Sequence, residues 1–255
     1  MPHGAASSSF VVSQTSISSP RRLPAIVSGL LTFFFVATIS AQTPARDWSA
    51  VSPASLCVTE GAVDKTTTGR LSVNVPKMRA YVNAWTGQLI EAHFTYLGRT
   101  KEEKALGSGE MRRQFGFKLR AQDPCNLVYA IWRIGSGLTP ESKLVVSVKR
   151  NANQHTSAEC GNRGYENIKP RKSSPVPHLR PGEPHTLRAE IKNEELRVFV
   201  DSREVWEGEL GADAALSGRV GIRSDNARLE FDLRTGPYIG VHPNYLRACQ
   251  TSDSD

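Results

Sequence analysis

The strongest constraint on what this chain can fold into is a two-residue alternation running through its C-terminal half. In HTLRAEIKNEELRVFVDSREVWEGEL (residues 185–210), Leu187, Ala189 and Ile191 alternate with polar positions. After Asn193-Glu194-Glu195 the pattern resumes with Leu196, Val198 and Val200, and after Asp201-Ser202-Arg203 a third run opens at Val205-Trp206-Glu207. Successive side chains of a strand point to opposite faces, so this period marks half-buried strands joined by tight turns. SGRVGIRSDNARLEFDL (residues 217–233) closes the series, with Val220, Ile222, Leu229, Phe231 and Leu233 inward. Its Asp225-Asn226 pair makes either a hairpin or a crossing between two sheets, and turn chemistry explains both residues without a calcium ion.

The same alternation extends upstream. QLIEAHFTYLG sets Ile90, Ala92, Phe94 and Tyr96 against Glu91, His93 and Thr95, and QFGFKLRA sets Phe115, Phe117, Leu119 and Ala121 against Lys118 and Arg120. NLVYAIWRI is apolar on both faces, which predicts a central strand covered on both sides with Trp132 in the core. KLVVSVKR is a further strand, and RTKEEKALGSGEMRR a polar loop with one helical turn at KEEKAL. Residues 151–184, rich in Asn, Gly and Pro, form the longest irregular piece, and such loops are often functional. Nothing after residue 45 has a long helical period. The fold expected is all-β: a two-sheet antiparallel jelly-roll sandwich over residues 70–250, with a lead-in over 42–69, a tail over 251–255 and an N-terminal signal or anchor helix.

Residues 1–41 differ in composition from the rest: no acid, then Arg21-Arg22 followed by LPAIVSGLLTFFFVATISA. A positive pair, an apolar core and the small residue Ala41 describe a secretory signal. The uncharged span 23–45 is also long enough to anchor the chain, with the positive pair inside and the domain outside. Either reading places the domain outside the cytoplasm, secreted or periplasmic if cleaved, and membrane contact is expected only through this segment if it is retained. Loss of its two arginines lowers the net charge from +7 to +5. The remaining basic clusters are short and lack interleaved aromatics, so no nucleic-acid partner is expected. Four cysteines, Cys57, Cys125, Cys160 and Cys249, contain no CxxC pair. In an oxidising compartment they predict two disulfides, Cys125 with Cys160 and Cys57 with Cys249.

The pair of stretches 185–208 and 217–233 resembles the C-terminal half of concanavalin A-like (laminin-G-like) jelly rolls. It is similar, in particular, to secreted bacterial domains of the 3-keto-glycoside hydrolase/lyase family, with their hydrophobic, V-x-V-D and G-x-V-G-I strand signatures. The resemblance implies two sheets and a concave face that binds carbohydrate. The Asn-Ser-Gly motif of that family is absent from NLVYAIWRI, and Gly164-Tyr165-Glu166 falls in the long irregular segment, so no catalytic residue is carried over.

Candidate ligand-binding residues fall in two places. Glu91 and His93 share one strand face, where a carboxylate can orient an imidazole; if that face is concave, Lys118, Arg120, Arg133 and Lys149 join it. In ECGNRGYENI, Glu159, Asn162, Arg163 and Tyr165 offer hydrogen-bonding and stacking groups beside a cysteine. No HxxxH, HExxH, GxSxG or Glu-x-Asp-x-x-Glu motif occurs, so no metal, cofactor or catalytic residue is expected. The reading is a glycan-binding module without catalysis, with a glycoside hydrolase or lyase of the 3-keto-glycoside type and a structural or protein-interaction domain as alternatives. Geometry separates them. Two converging carboxylates favour the enzyme, an aromatic platform with Asn and Arg favours the binding module, and a filled groove favours the structural domain.

Overall fold

A computed structural model describes residues 47–83, 85–86, 88–135 and 141–240. The expected signal or anchor, Cys249 and the 251–255 tail lie outside these residues. Among the described residues no helix is long and apolar enough to cross a membrane.

Two antiparallel sheets form a sandwich. The first runs, in spatial order, through Lys172–Ser173, Arg203–Glu209, Glu195–Val200, Pro184–Lys192, Leu89–Arg99, Ala227–Thr235, Leu71–Val73 and Asp64–Lys65, with Ser49–Val51 also on Ala227–Thr235. The second runs through Tyr165–Asn167, Lys143–Lys149, Asn126–Ile134, Arg113–Asp123, Arg219–Asp225, Lys77–Val82 and Leu56–Glu60. The segment before Gly69 thus contributes Ser49–Val51, Leu56–Glu60 and Asp64–Lys65 to the two sheets. The 185–209 meander pairs in the register its sequence dictates, Leu187 opposite Val200 and Val198 opposite Trp206. Its two turns place Asn193, Glu194, Asp201 and Ser202 at positive φ, the backbone that two-residue hairpin turns of matching twist require.

The inward positions of both sheets make one core. Phe94 of the first sheet packs against Phe115 and Trp132 of the second, at ring-centroid distances of 5.1 and 5.7 Å, and Phe231 closes on Phe115 at 5.9 Å. Trp206 is also buried there. Asn126–Ile134 is covered on both sides, as its sequence requires. Val128, Ala130 and Trp132 enter the main core, whereas Leu127, Tyr129 and Ile131 join Cys57, Tyr81 and Ala121 in a second cluster on the outer face of the second sheet.

Several expectations are narrowed or corrected. Arg219–Asp225 lies in the second sheet and Ala227–Thr235 in the first, so of the two turns expected for Asp225-Asn226 the crossing is the one formed. Asn226 takes φ +53°, a left-handed backbone that Asn tolerates better than most residues. KEEKAL forms no helical turn. Lys118 and Arg120 are buried: Lys118 lies over the Tyr81 ring at 4.2 Å, and Arg120 grips Glu194 with both Nη atoms, at 2.6 and 2.8 Å. The ladder shifts register between Leu119 and Asp123, with Arg120 at φ +48°. Ala121 is thereby moved out of the face it would share with Phe115, Phe117 and Leu119 and into the outer cluster.

Candidate ligand-binding site

An open cavity of about 1010 Å³ lies on the outer face of the second sheet. Its floor consists of outward positions from five adjacent strands. Lys77 and Arg79, Arg223, Gln114, then Tyr129, Ile131 and Arg133, and finally Val145, Ser147 and Lys149 alternate with residues of the main core. The walls are two loops. One runs from Leu106 to Arg112; the other carries Thr156 to Asn162 and continues into Tyr165 and Asn167. The walls meet at one point, where a Cβ added at Gly107 would sit 3.7 Å from Asn162 Cβ.

Each wall is fixed by a short polar motif. Asn226 Nδ2 donates to the carbonyls of Lys104 and Arg112, both at 2.8 Å, and its Oδ1 accepts the Lys104 N–H at 2.8 Å. One crossing residue therefore clamps both ends of the first wall. The second wall is tied to the sheet by the Cys125–Cys160 disulfide, with Cα atoms 5.8 Å apart. Cys160 ends the one-turn helix Ser157–Cys160, and Glu159 reaches back to the residues just before it: its Oε2 accepts from His155 N at 2.8 Å and Thr156 N at 2.9 Å. Those backbone bonds hold the Glu159 carboxyl below its ordinary range. Asn126 Nδ2 donates to the Gln154 carbonyl at 2.8 Å, and its Oδ1 accepts the Asn151 N–H at 3.1 Å. Gly164, at φ +76°, passes so close to the Arg150 carbonyl that a Cβ would lie 2.4 Å from that oxygen; the wall can turn into the Tyr165 strand only with glycine there.

Floor and walls present two kinds of chemistry. Tyr165 stacks on Tyr129 with centroids 6.0 Å apart and planes 22° from parallel, and Lys149 Nζ sits 5.1 Å from the Tyr165 centroid. Tyr165 and Met111, which sits between the lining residues Glu110 and Arg112, are the large exposed hydrophobic residues among those described. At the other end Asp225, fully buried, accepts from Arg79 Nη2 at 2.6 Å, Arg223 Nε at 2.9 Å and Gln114 Nε2 at 2.7 Å. Burial alone would raise the Asp225 carboxyl, but the two guanidinium charges and the Gln114 bond hold it well below the ordinary range. Arg133 has its charged form disfavoured by burial and by Arg112, partly offset by Glu110, which is itself ion-paired to Arg112.

The seven residues expected at a ligand site do not converge. Arg133, Asn162 and Tyr165 line the cavity. Glu159 caps the helix beside it, and Arg163 turns back to donate to the Glu159 and Cys160 carbonyls. Glu91 and His93 lie on a central strand of the other sheet, away from the cavity. There Glu91 Oε1 pairs with His93 Nε2 at 2.8 Å and Arg234 Nη2 at 2.7 Å, and His93 Nδ1 meets Thr186 Oγ1 at 3.2 Å. Of the four cations considered beside that pair, Arg133 and Lys149 belong to the cavity. Sequence reasoning missed Lys77, Arg79, Arg112, Gln114, Tyr129 and Arg223. The signal for most of them was the outward register of strands whose inward partners are apolar; nothing in the sequence says that these strands are neighbours. Cys125–Cys160 is formed as expected, whereas the pairing of the fully buried Cys57 with Cys249 falls outside the described residues at its Cys249 end.

No protein-family model matches the chain, and no curated protein matches it. Among solved structures, the chain is similar to the carbohydrate-binding module CBM66 from Bacillus subtilis, at TM-score 0.47 and 14% identity over 69% of this chain and 91% of that one. It is similar to the carbohydrate recognition domain of Emp47p at TM-score 0.47 and 12% identity, over 74% and 91%. A glycosyl hydrolase structure from Parabacteroides distasonis gives TM-score 0.41 and 12% identity, over 74% and 100%. These likenesses are too distant to assign a ligand, and the two-sheet sandwich stands on the strand pairing itself.

Proposed function

We propose that the chain is an extracytoplasmic glycan-binding module that works without catalysis. The observation that carries this reading is the open cavity in which the exposed Tyr165 stacks on Tyr129 and which Asn162, Asn167 and Arg133 also line. Sugar rings present apolar faces and hydroxyl edges, which aromatic platforms and amide or guanidinium groups match. Glycoside hydrolysis needs two carboxylates flanking the scissile bond. Among the described residues lining the cavity the carboxylate is Glu110, held by Arg112, while Asp225 beneath them is kept ionised by two arginines. That arrangement favours binding over the hydrolase or lyase reading. The cavity is unfilled by side chains, which favours a ligand over a purely structural role. The Cys125–Cys160 disulfide and the apolar N-terminal segment support an oxidising compartment.

The test is a glycan array probed with the full chain, followed by titration of the strongest hit against Tyr165→Ala. Binding in the micromolar to millimolar range is expected, weakened about tenfold or more by the substitution. Absence of any glycan signal, or affinity unchanged in Tyr165→Ala, overturns the proposal.

A further inference from the structure

The charge of the cavity says more than its shape. Among the described residues six basic side chains line it, Lys77, Arg79, Arg112, Arg133, Lys149 and Arg223, against one lining carboxylate, Glu110, and the buried Asp225 below. Asp225 engages Arg79 and Arg223, and Glu110 engages Arg112. The surplus therefore sits with Arg133, Lys77 and Lys149. Arg133 Nε is buried without a hydrogen-bond partner. Arg112 lines the same cavity, and after burial its charge is what most disfavours the charged form of Arg133. Neutral sugars do not require such a cluster, since hydroxyl groups are served equally well by amides and by tyrosine. A planar anion does, because guanidinium offers paired donors that match a carboxylate or sulfate.

Resting on the glycan-binding reading above, we infer that the ligand is an acidic glycan whose carboxylate or sulfate group is received by Arg133 at the Gln114 end of the cavity, while another ring of the same oligosaccharide lies on the Tyr165 platform at the Lys149 end. The anion meets the buried Arg133 Nε donor and places a negative charge among the basic side chains that line the cavity. An oligonucleotide is also anionic. The walls that touch at Gly107 and Asn162 form a pocket bounded on both sides, where a polynucleotide needs an open groove that tracks its backbone.

The experiment is calorimetric titration of the full chain with four probes: an oligogalacturonate, the same oligomer fully methyl-esterified, a sulfated chondroitin oligosaccharide, and a single-stranded oligonucleotide of similar length. Tight binding of the oligogalacturonate or the sulfated oligomer is expected, and which of the two wins identifies the anion. The methyl ester should bind at least about tenfold more weakly than the acid, and affinity for the acid should fall several-fold between roughly 0.05 and 0.5 M salt, as screened charge requires. Arg133→Gln should lose about tenfold for the acid and so narrow the gap between the acid and its methyl ester. Lys77→Gln, on a half-exposed side chain, should show a smaller loss of the same kind and serves if Arg133→Gln does not fold. Equal binding of acid and methyl ester overturns the inference while the glycan-binding function stands. Binding of the oligonucleotide as tight as that of both acidic glycans overturns the assignment to glycans. Binding of no probe, together with a blank array, removes both.

Discussion

At the residue scale, Asp225 shapes the floor of the cavity through charge. Its carboxylate is fully buried between Arg79 and Arg223, and Arg79 is itself 1% exposed, donating also to the Ser224 and Met78 carbonyls at 2.9 Å. Removing one member of such a group leaves the rest buried and uncompensated, at a cost of about 3–5 kcal/mol. Asp225→Asn should therefore lower the midpoint of thermal unfolding strongly at neutral pH. A carboxyl whose folded pKa is depressed contributes stability that is fully present above its unfolded value, about 3.9, and is lost as pH falls below it. The native chain should thus lose stability below about pH 4, and the difference between native and Asp225→Asn melting points should shrink over that range. Glu207, held at about 2 by its hydrogen bonds to Arg171 and Lys172, titrates in both proteins and cancels in the difference. A gap between the two proteins that stays constant from pH 7 to pH 2 would refute this account. The sequence shows that Asp225 and Asn226 sit at a turn. It does not show that Asp225 meets Arg79, 146 residues earlier, or that Asn226 holds a loop 122 residues away.

At the element scale, the wall carrying Asn162 and Tyr165 is the least self-sufficient part of the site. Ser157–Cys160 is a single turn, and Tyr165–Asn167 is a three-residue edge strand whose side chains are exposed. Neither would persist alone, since short helices and isolated edge pairs are marginal in water. The disulfide closing 35 residues between Cys125 and Cys160 supplies the missing constraint, worth about 3–4 kcal/mol in the loop-entropy account. Paired Cys125→Ser and Cys160→Ser substitution should lower stability by about that amount and weaken glycan binding more than it disturbs the sandwich. The check is titration alongside far-ultraviolet circular dichroism: loss of binding with an unchanged strand signature is expected, and full binding in the variant would show that the wall stands without its tether. The strands themselves were legible because each alternates on its own. The KEEKAL segment was misread because helix propensity over six residues is a weak signal, whereas Asn226 fixes that loop from outside through the backbone at Lys104 and Arg112.

At the scale of the whole molecule, the sandwich is held by the aromatic contact of Phe94 and Phe231 from one sheet with Phe115 and Trp132 from the other. Phe94→Ala should cost about 3–5 kcal/mol through lost burial and the cavity left behind, measured by denaturant unfolding. The Glu91–His93 pair, on the outer side of the same strand, offers the contrast. Glu91→Gln removes one partner of Arg234 and His93 but leaves the core filled. The chain determined by itself that it folds as two-faced strands, which residues face the core wherever no bulge shifts the register as at Ala121, and that Cys125 and Cys160 can pair, because these follow from period, turn chemistry and composition along a single segment. Only the tertiary structure decided which outward faces come together. A strand's sequence fixes the side to which each residue points, while the order of strands in a sheet is set by packing between distant segments, as where Ser49 pairs with Thr235 and Arg70 donates to the Glu230 carbonyl. For that reason Glu91 and His93, side by side in sequence, stand apart from the cavity, whereas Lys77, Arg133, Tyr165 and Arg223, from four separate strands, line the same one.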